Sequence, residues 1–159
     1  MGREVRRVPA NWEHPKNEHG RYKPLYDGSY EQRAADWREE EAKWKRGEFP
    51  DYASEDSRKM SYSEWGGRHP DESDYMPDWP EAERTHYQMY ETTSEGTPIS
   101  PVMETPEALA RWLVDNNASA FGGQTASYEG WLWVCNGGYA PSAICDSRGM
   151  QSGVEAFRE

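Results

Sequence analysis

Apolar and polar positions alternate at the start of the chain. In Arg3–Pro9 (REVRRVP), Val5 and Val8 stand among charged residues and Pro9 ends the run. Such a pattern predicts a short strand. Trp12, Pro15, Tyr22, Pro24 and Tyr26 then follow through Gly and polar residues with no helical period. Residues 1–28 are therefore expected to form an extended aromatic N-terminal arm whose rings lie on another part of the protein.

The period changes after Asp27-Gly28. Between Ser29 and Arg46, the residues Tyr30, Ala34, Trp37, Glu41 and Trp44 fall on one stripe with a period of ~3.6. Ser29 is placed to cap this helix, Gln32 to complete a capping box, and Gly47 to end it in the left-handed conformation. Glu39–Lys43 and Glu41–Lys45 are spaced as supporting i,i+4 pairs. The stripe is narrow, so the helix over 29–46 is expected to lay one Trp-bearing face on a body made by other segments.

No period runs through residues 47–83. Phe49-Pro50, Gly66-Gly67, His69-Pro70, Met76-Pro77 and Trp79-Pro80 interrupt any regular element. The stretch nevertheless carries Phe49, Tyr52, Tyr62, Trp65, Tyr75 and Trp79, more rings than a solvating linker needs. Periodicity returns in 84–159. His86–Thr92 alternates as a strand, Gly96-Thr97-Pro98 breaks it, and Ile99–Met103 is expected to return as a second strand. Thr105-Pro106-Glu107 is a helix start, followed by the stripe Leu109, Trp112 and Leu113 and the stop Asn116-Asn117. Thr125 is expected to cap another helix, with Tyr128, Trp131, Leu132 and Cys135 inward and Gly137-Gly138 closing it; Ala143–Cys145 reads as a last strand. The predicted fold is α+β: a small antiparallel sheet with two or three helices, an aromatic-rich core in 84–159, and a long irregular acidic middle segment.

Composition sharpens this picture. Among 159 residues, Val, Ile, Leu and Phe number only 15, about 9% against the ~20% below which disorder is the usual reading. Trp and Tyr number 18, and disordered chains are poor in aromatics. The two facts agree if a small aliphatic core is wrapped by ring-studded segments. No apolar run approaches the ~18 residues of a membrane-spanning helix, and the opening MGREVRRVPANWEHP lacks the apolar stretch of a signal peptide, so a cytoplasmic location is expected. Cys135 and Cys145 form no CxxC and supply too few thiols for a zinc site, so both are expected to be reduced and partly buried.

The net charge of −11 opposes a nonspecific grip on nucleic acid and favours basic partners. Its distribution is uneven: +3 over 1–26, −1 over 27–46, −8 over 47–83 and −5 over 84–159. His69 with Asp71, Glu72 and Asp74 supplies ligand types for a divalent cation, but without the glycine and terminal glutamate of a calcium loop a solvated acidic turn is favoured. His14 and His19, beside Glu13 and Glu18, would need a helix that Pro15 opposes. Arg84-Thr85-His86 and Thr92-Thr93-Ser94-Glu95 contain the residue types of ADP-ribosyl transfer without its second glutamate. Ser142 and Cys145 have no neighbouring histidine as base, and neither Gly122-Gly123 nor Gly137-Gly138 has the context of a phosphate loop. No catalytic residue, metal or cofactor is expected. The acidic segment is the candidate contact surface, with Asp71, Glu72, Asp74, Asp78, Glu81 and Glu83 facing a basic partner protein and Trp65, Tyr75 and Trp79 as anchors.

The stretches MGREVRRVPANWEHP, YQMYETTSEGTPISPVMETPEALARWL and GYAPSAI resemble a group of small acidic proteins encoded by tailed phages and prophages. The resemblance covers both ends of the chain and leaves the acidic middle as the variable part. It implies expression in a bacterial host, beside genes that counter host defences, and brings no activity or cofactor. The expected function is a non-enzymatic binding protein, an anti-CRISPR-like inhibitor that occupies the basic nucleic-acid-binding surface of a defence complex. Two alternatives stand beside it. One is a small phage enzyme using His86, Glu91 and Glu95, which requires these three to converge in a pocket. The other is a virion or assembly accessory protein whose aromatic arm wraps a neighbour.

Overall fold

A computed structural model describes residues 2–147 and 149–156. The fold is α+β, and the chain divides into two compact units, residues 1–26 with 77–159 and residues 27–76.

The first unit is built on a four-stranded antiparallel sheet. Its strands are β1 (Gly2–Val8), β2 (His86–Glu91), β3 (Thr97–Pro98) and β4 (Tyr139–Pro141), in the order β3-β2-β1-β4. β1 pairs with β2 from Arg3↔Glu91 to Val8↔His86, and on its other edge with β4. The strand expected over Arg3–Pro9 therefore forms, at Gly2–Val8, but as an interior strand of the sheet and not as part of a separate extended arm. The return strand expected over Ile99–Met103 forms instead at Thr97–Pro98, residues expected to break the chain. Beyond it, Ile99 N–H donates to Met89, and Tyr87 and Met103 bond reciprocally.

Side-chain alternation puts Tyr87 and Met89 of β2 and Val5 of β1 on one face, and Gln88 and Tyr90 with Glu4 and Arg6 on the other. Among the described residues three longer helices form, and two of them cover the first face. α3 (Pro106–Asp115) is capped by Thr105, whose side chain accepts from the Ala108 N–H. α4 (Tyr128–Gly137) starts at Ser127, two residues after the expected Thr125 cap. The reason is distant in sequence: Glu155 accepts from both the backbone N–H and the hydroxyl of Ser127, at 2.9 and 2.8 Å. Leu109, Leu113, Trp131, Val134, Met89 and Val154 make the dry core here. Trp131 is fully buried, and its indole N–H has no partner among the described residues. A small hairpin, β5 (Ala143–Asp146) with β6 (Gly149–Ser152), leads to a final turn of helix at Gly153–Ala156.

Residues 9–26 cover the opposite face of the sheet. Arg6 holds them there. Its guanidinium lies 4.2 Å from the Tyr90 ring centroid, donates to Glu4, and donates to the Leu25 carbonyl at 2.8 Å. Gly96 (φ +102°) closes the same corner, because a Cβ there would stand 2.1 Å from the Leu25 oxygen.

The second unit is an aromatic cluster on α1 (Tyr30–Lys45). Ser29 caps it by accepting from the Gln32 N–H, but the Gln32 side chain turns to Asp36, so the expected capping box is only half formed. Ala34, Trp37 and Trp44 are buried along the expected stripe, and the pairs Lys43–Glu39 and Lys45–Glu41 close at 2.9 and 3.0 Å. The body under the Trp face comes from the stretch that lacked any period. α2 (Tyr62–Trp65), held by a Ser61–Glu64 capping box, presents Tyr62 and Trp65 to Trp37 and Trp44, with Phe49 and Ala53 beside them. Single 3₁₀ turns occur at Ser57–Lys59, Glu72–Asp74 and Glu81–Glu83. Residues 47–76 thus complete a core with α1, and the boundary between units falls inside the acidic segment, between Met76 and Pro77.

Candidate functional site

The nine acidic and aromatic residues nominated from sequence divide between the two units. In the second, Asp71 accepts from the Ser73 N–H and so starts the Glu72–Asp74 turn, leaving Glu72 exposed. Asp74 is 3.4 Å from Arg68. Tyr75 is half-buried, its ring 5.8 Å from that of Tyr30 in an edge-on contact. Trp65 is also half-buried, stacked on Trp44 with centroids 4.4 Å apart and planes 25° from parallel. In the first unit, Trp79 packs edge-on against Trp12 at 4.8 Å. Around it, Asp78 pairs with Arg84 at 3.0 Å, Glu81 pairs with Arg7, and Glu83 is exposed. In both units the rings are pinned by other rings, while most of the carboxylates face solvent.

The second unit also has a cleft of about 570 Å³ between α1 and the 48–66 segment, lined by Trp44, Phe49, Tyr52, Tyr62 and Trp65 among others. Tyr52 is 83% exposed, and its ring lies 6.0 Å from that of Trp65 with planes 28° apart. Trp44, Trp65 and Tyr52 therefore form a row of near-parallel rings that ends in solvent. Beneath, the Tyr62 hydroxyl donates to Glu40. Burial first, and this carboxylate second, push the phenol up to about 12. Sequence reasoning flagged these rings as surplus to a linker; what it lacked was their packing on α1.

The first unit has a larger cleft of about 850 Å³, lined by Trp12, His14, Tyr22, Gln88 and Ser100 and reached from the helix side by Trp112 of α3. Its floor is a buried polar network. His14, weighed from sequence only as a weak metal ligand with His19, is only 7% exposed. Its Nε2 lies 2.6 Å from the Lys23 carbonyl, so that nitrogen carries the proton; its Nδ1 lies 3.0 Å from the Tyr90 hydroxyl. Trp12 donates to that hydroxyl at 3.2 Å, and the hydroxyl is 3.0 Å from Gln88 Oε1. Gln88 cannot flip, because its amide N–H₂ donates to the Ser100 carbonyl at 2.9 Å. Tyr90 has one proton and faces two acceptors, Gln88 and neutral His14. Protonating His14 would relieve the shortage, but burial foremost, with Arg6 adding to it, lowers the imidazole pKa despite the favourable Lys23 bond.

The groups proposed for an enzyme do not converge. His86 and Glu91 are at opposite ends of β2 and, five residues apart, point to opposite faces. His86 bonds Thr85, Glu91 is 3.5 Å from Arg3, and Glu95 is 3.4 Å from the Tyr26 hydroxyl. Among the described residues, no three His, Cys, Asp or Glu side chains are placed to hold a metal ion. Instead of approaching Asp71 and Asp74, His69 bonds its neighbouring Pro70 carbonyl and lies edge-on to Trp37. Both cysteines are free, but only Cys135 is buried, its thiol pushed up to about 12 chiefly by that burial; Cys145 is exposed where the sequence expected partial burial. Among the described residues, no helix is long and apolar enough to cross a membrane.

No protein-family model, curated protein or solved structure matches the chain.

Proposed function

We propose that this chain is a non-enzymatic binding protein that engages a basic surface of another protein. The observation that carries this is the pairing of fixed rings with solvent-facing carboxylates: Tyr75 on Tyr30 beside Asp71 and Glu72, and Trp79 on Trp12 beside Asp78, Glu81 and Glu83. Rings already ordered in the free protein lose little entropy on contact, which is what an interface anchor needs. Carboxylates spaced along turns offer a cationic partner what a phosphate backbone offers, which speeds encounter and favours basic surfaces. In the setting that the resemblance to phage proteins implies, the partner is a nucleic-acid-acting defence complex such as a CRISPR effector in the bacterial cytoplasm. Inhibition is steric, by occupation of the basic channel.

The test is capture from a bacterial lysate with the whole chain as bait, beside a variant in which Asp71, Glu72, Asp74, Asp78, Glu81 and Glu83 are all changed to Ser. A basic nucleic-acid-binding protein retained by the first bait and lost from the second is the expected result. Equal capture by both baits, or capture of nothing basic, overturns the proposal.

A further inference from the structure

We infer that the Tyr52 end of the ring-lined cleft in residues 27–76 is a recognition site for an arginine side chain of the partner. This rests on the basic-partner proposal above and assigns it a site that the acidic run 71–83 does not contain. Trp44 is buried, Trp65 half-buried and Tyr52 83% exposed, so the row of rings runs from the core of the unit to open solvent. A single exposed tyrosine is ordinary on a protein surface. Tyr52 differs in being aligned with two indoles and placed at the rim of a cleft, although its exposure means that it adds little to the core.

The chemistry of the site selects a flat cation. The ring faces carry negative electrostatic potential, and a planar guanidinium can both stack on them and hydrogen-bond at its edge. Residues 27–76 carry 14 acidic and 8 basic side chains, a net excess of negative charge. Asp51, the chain neighbour of Tyr52, and Glu55, three residues on, are exposed and form no ion pair among the described residues. The two cations that line the cleft are already held by carboxylates of α1, Lys43 by Glu39 at 2.9 Å and Arg33 by Glu40 at 3.9 Å. The same cluster already seats one guanidinium: Arg58 lies 5.5 Å from the Phe49 ring centroid and donates to the Ala53 carbonyl at 3.1 Å.

The test titrates the full chain calorimetrically with hexa-arginine, hexa-lysine and an oligothymidylate, at about 0.15 M salt so that weak surface attraction is screened. Hexa-arginine is expected to bind roughly tenfold tighter than hexa-lysine. Tyr52→Ala is expected to weaken hexa-arginine binding roughly tenfold, and Tyr52→Phe to keep it within about twofold, since a phenyl face serves a cation as well. Unchanged thermal midpoints establish that both variants fold. Equal binding of the two peptides with no effect of Tyr52→Ala overturns the site. So does oligothymidylate binding that Tyr52→Ala abolishes, because the rings then serve a base. If the sextuple Ser variant loses hexa-arginine and Tyr52→Ala does not, this inference fails and the acidic surface remains. If the native chain binds neither peptide, both fail.

Discussion

Lowering the pH from 8 to 5 should destabilise the first unit through one side chain, His14. Its ring is boxed by Trp12, Tyr22 and Tyr90 at centroid distances of 5.9, 5.6 and 5.4 Å, with its nitrogens facing Tyr90 and the Lys23 carbonyl. The charge acting on it is unfavourable to an imidazolium: Arg6 lies over the same Tyr90 ring. Because the folded pKa is below the ordinary 6.5, the unfolded chain takes up the proton first as pH falls. Stability from this group is flat above pH ~6.5 and declines below it by about 1.4 kcal/mol per pH unit, until the lowered folded value is reached. Since the chain has two compact units, a bulk unfolding signal would mix them. Amide exchange of Met89 and Tyr90, both fully buried in the sheet of this unit, isolates the relevant opening. His14→Gln supplies a donor and an acceptor without a titrating ring and should lose the slope between pH 6.5 and 5. Identical slopes in the two proteins would refute the reasoning. A native protein that gains stability as pH falls would refute it more strongly, because relief of the Tyr90 proton shortage would then outweigh burial.

Three further outcomes follow from the packing. Trp131→Phe should cost about 1–2 kcal/mol and Trp131→Ala about 3–5, because both remove a buried N–H that has no partner among the described residues but only Phe keeps most of the ring volume; urea unfolding measures both. Gly96→Ala should cost about 2–4 kcal/mol by the same method, since the added methyl meets the Leu25 oxygen in a left-handed backbone, and a control change at the open Gly123 should cost under about 1. A thiol reagent at neutral pH should label Cys145 alone in the native protein and both cysteines in denaturant; rapid native labelling of Cys135 would contradict its burial.

Local signals carried well from sequence to structure. The stripe and pairs of α1, the left-handed Gly47 that follows it, and the Thr105-Pro106 start of α3 all depend on neighbours within a turn or two. What was illegible depends on distant partners. β1 became an interior strand because residues about 80 positions away pair with it, and the α4 cap moved to Ser127 because Glu155 reaches back to it. Residues 47–76 lacked any period because their rings pack one by one on Trp37 and Trp44 and not along a stripe of their own. Among the nominated contact residues, the exposed carboxylates were legible from charge alone. The division between Tyr75 and Asp78 into separate units, the solvent end of the Tyr52 row and the His14–Tyr90–Gln88 floor were not, since each is made by contacts across tens of residues.

The most direct measurement of the proposed function is displacement. A captured bacterial partner is loaded with a fluorescent nucleic acid, the purified chain is added, and anisotropy and native gels are read together. Occupation of a basic channel predicts release of the nucleic acid in proportion to added protein, one protein bound per nucleic acid lost, with release weakened in the sextuple Asp/Glu→Ser variant. A stable ternary complex, or release that the variant reproduces unchanged, would contradict it.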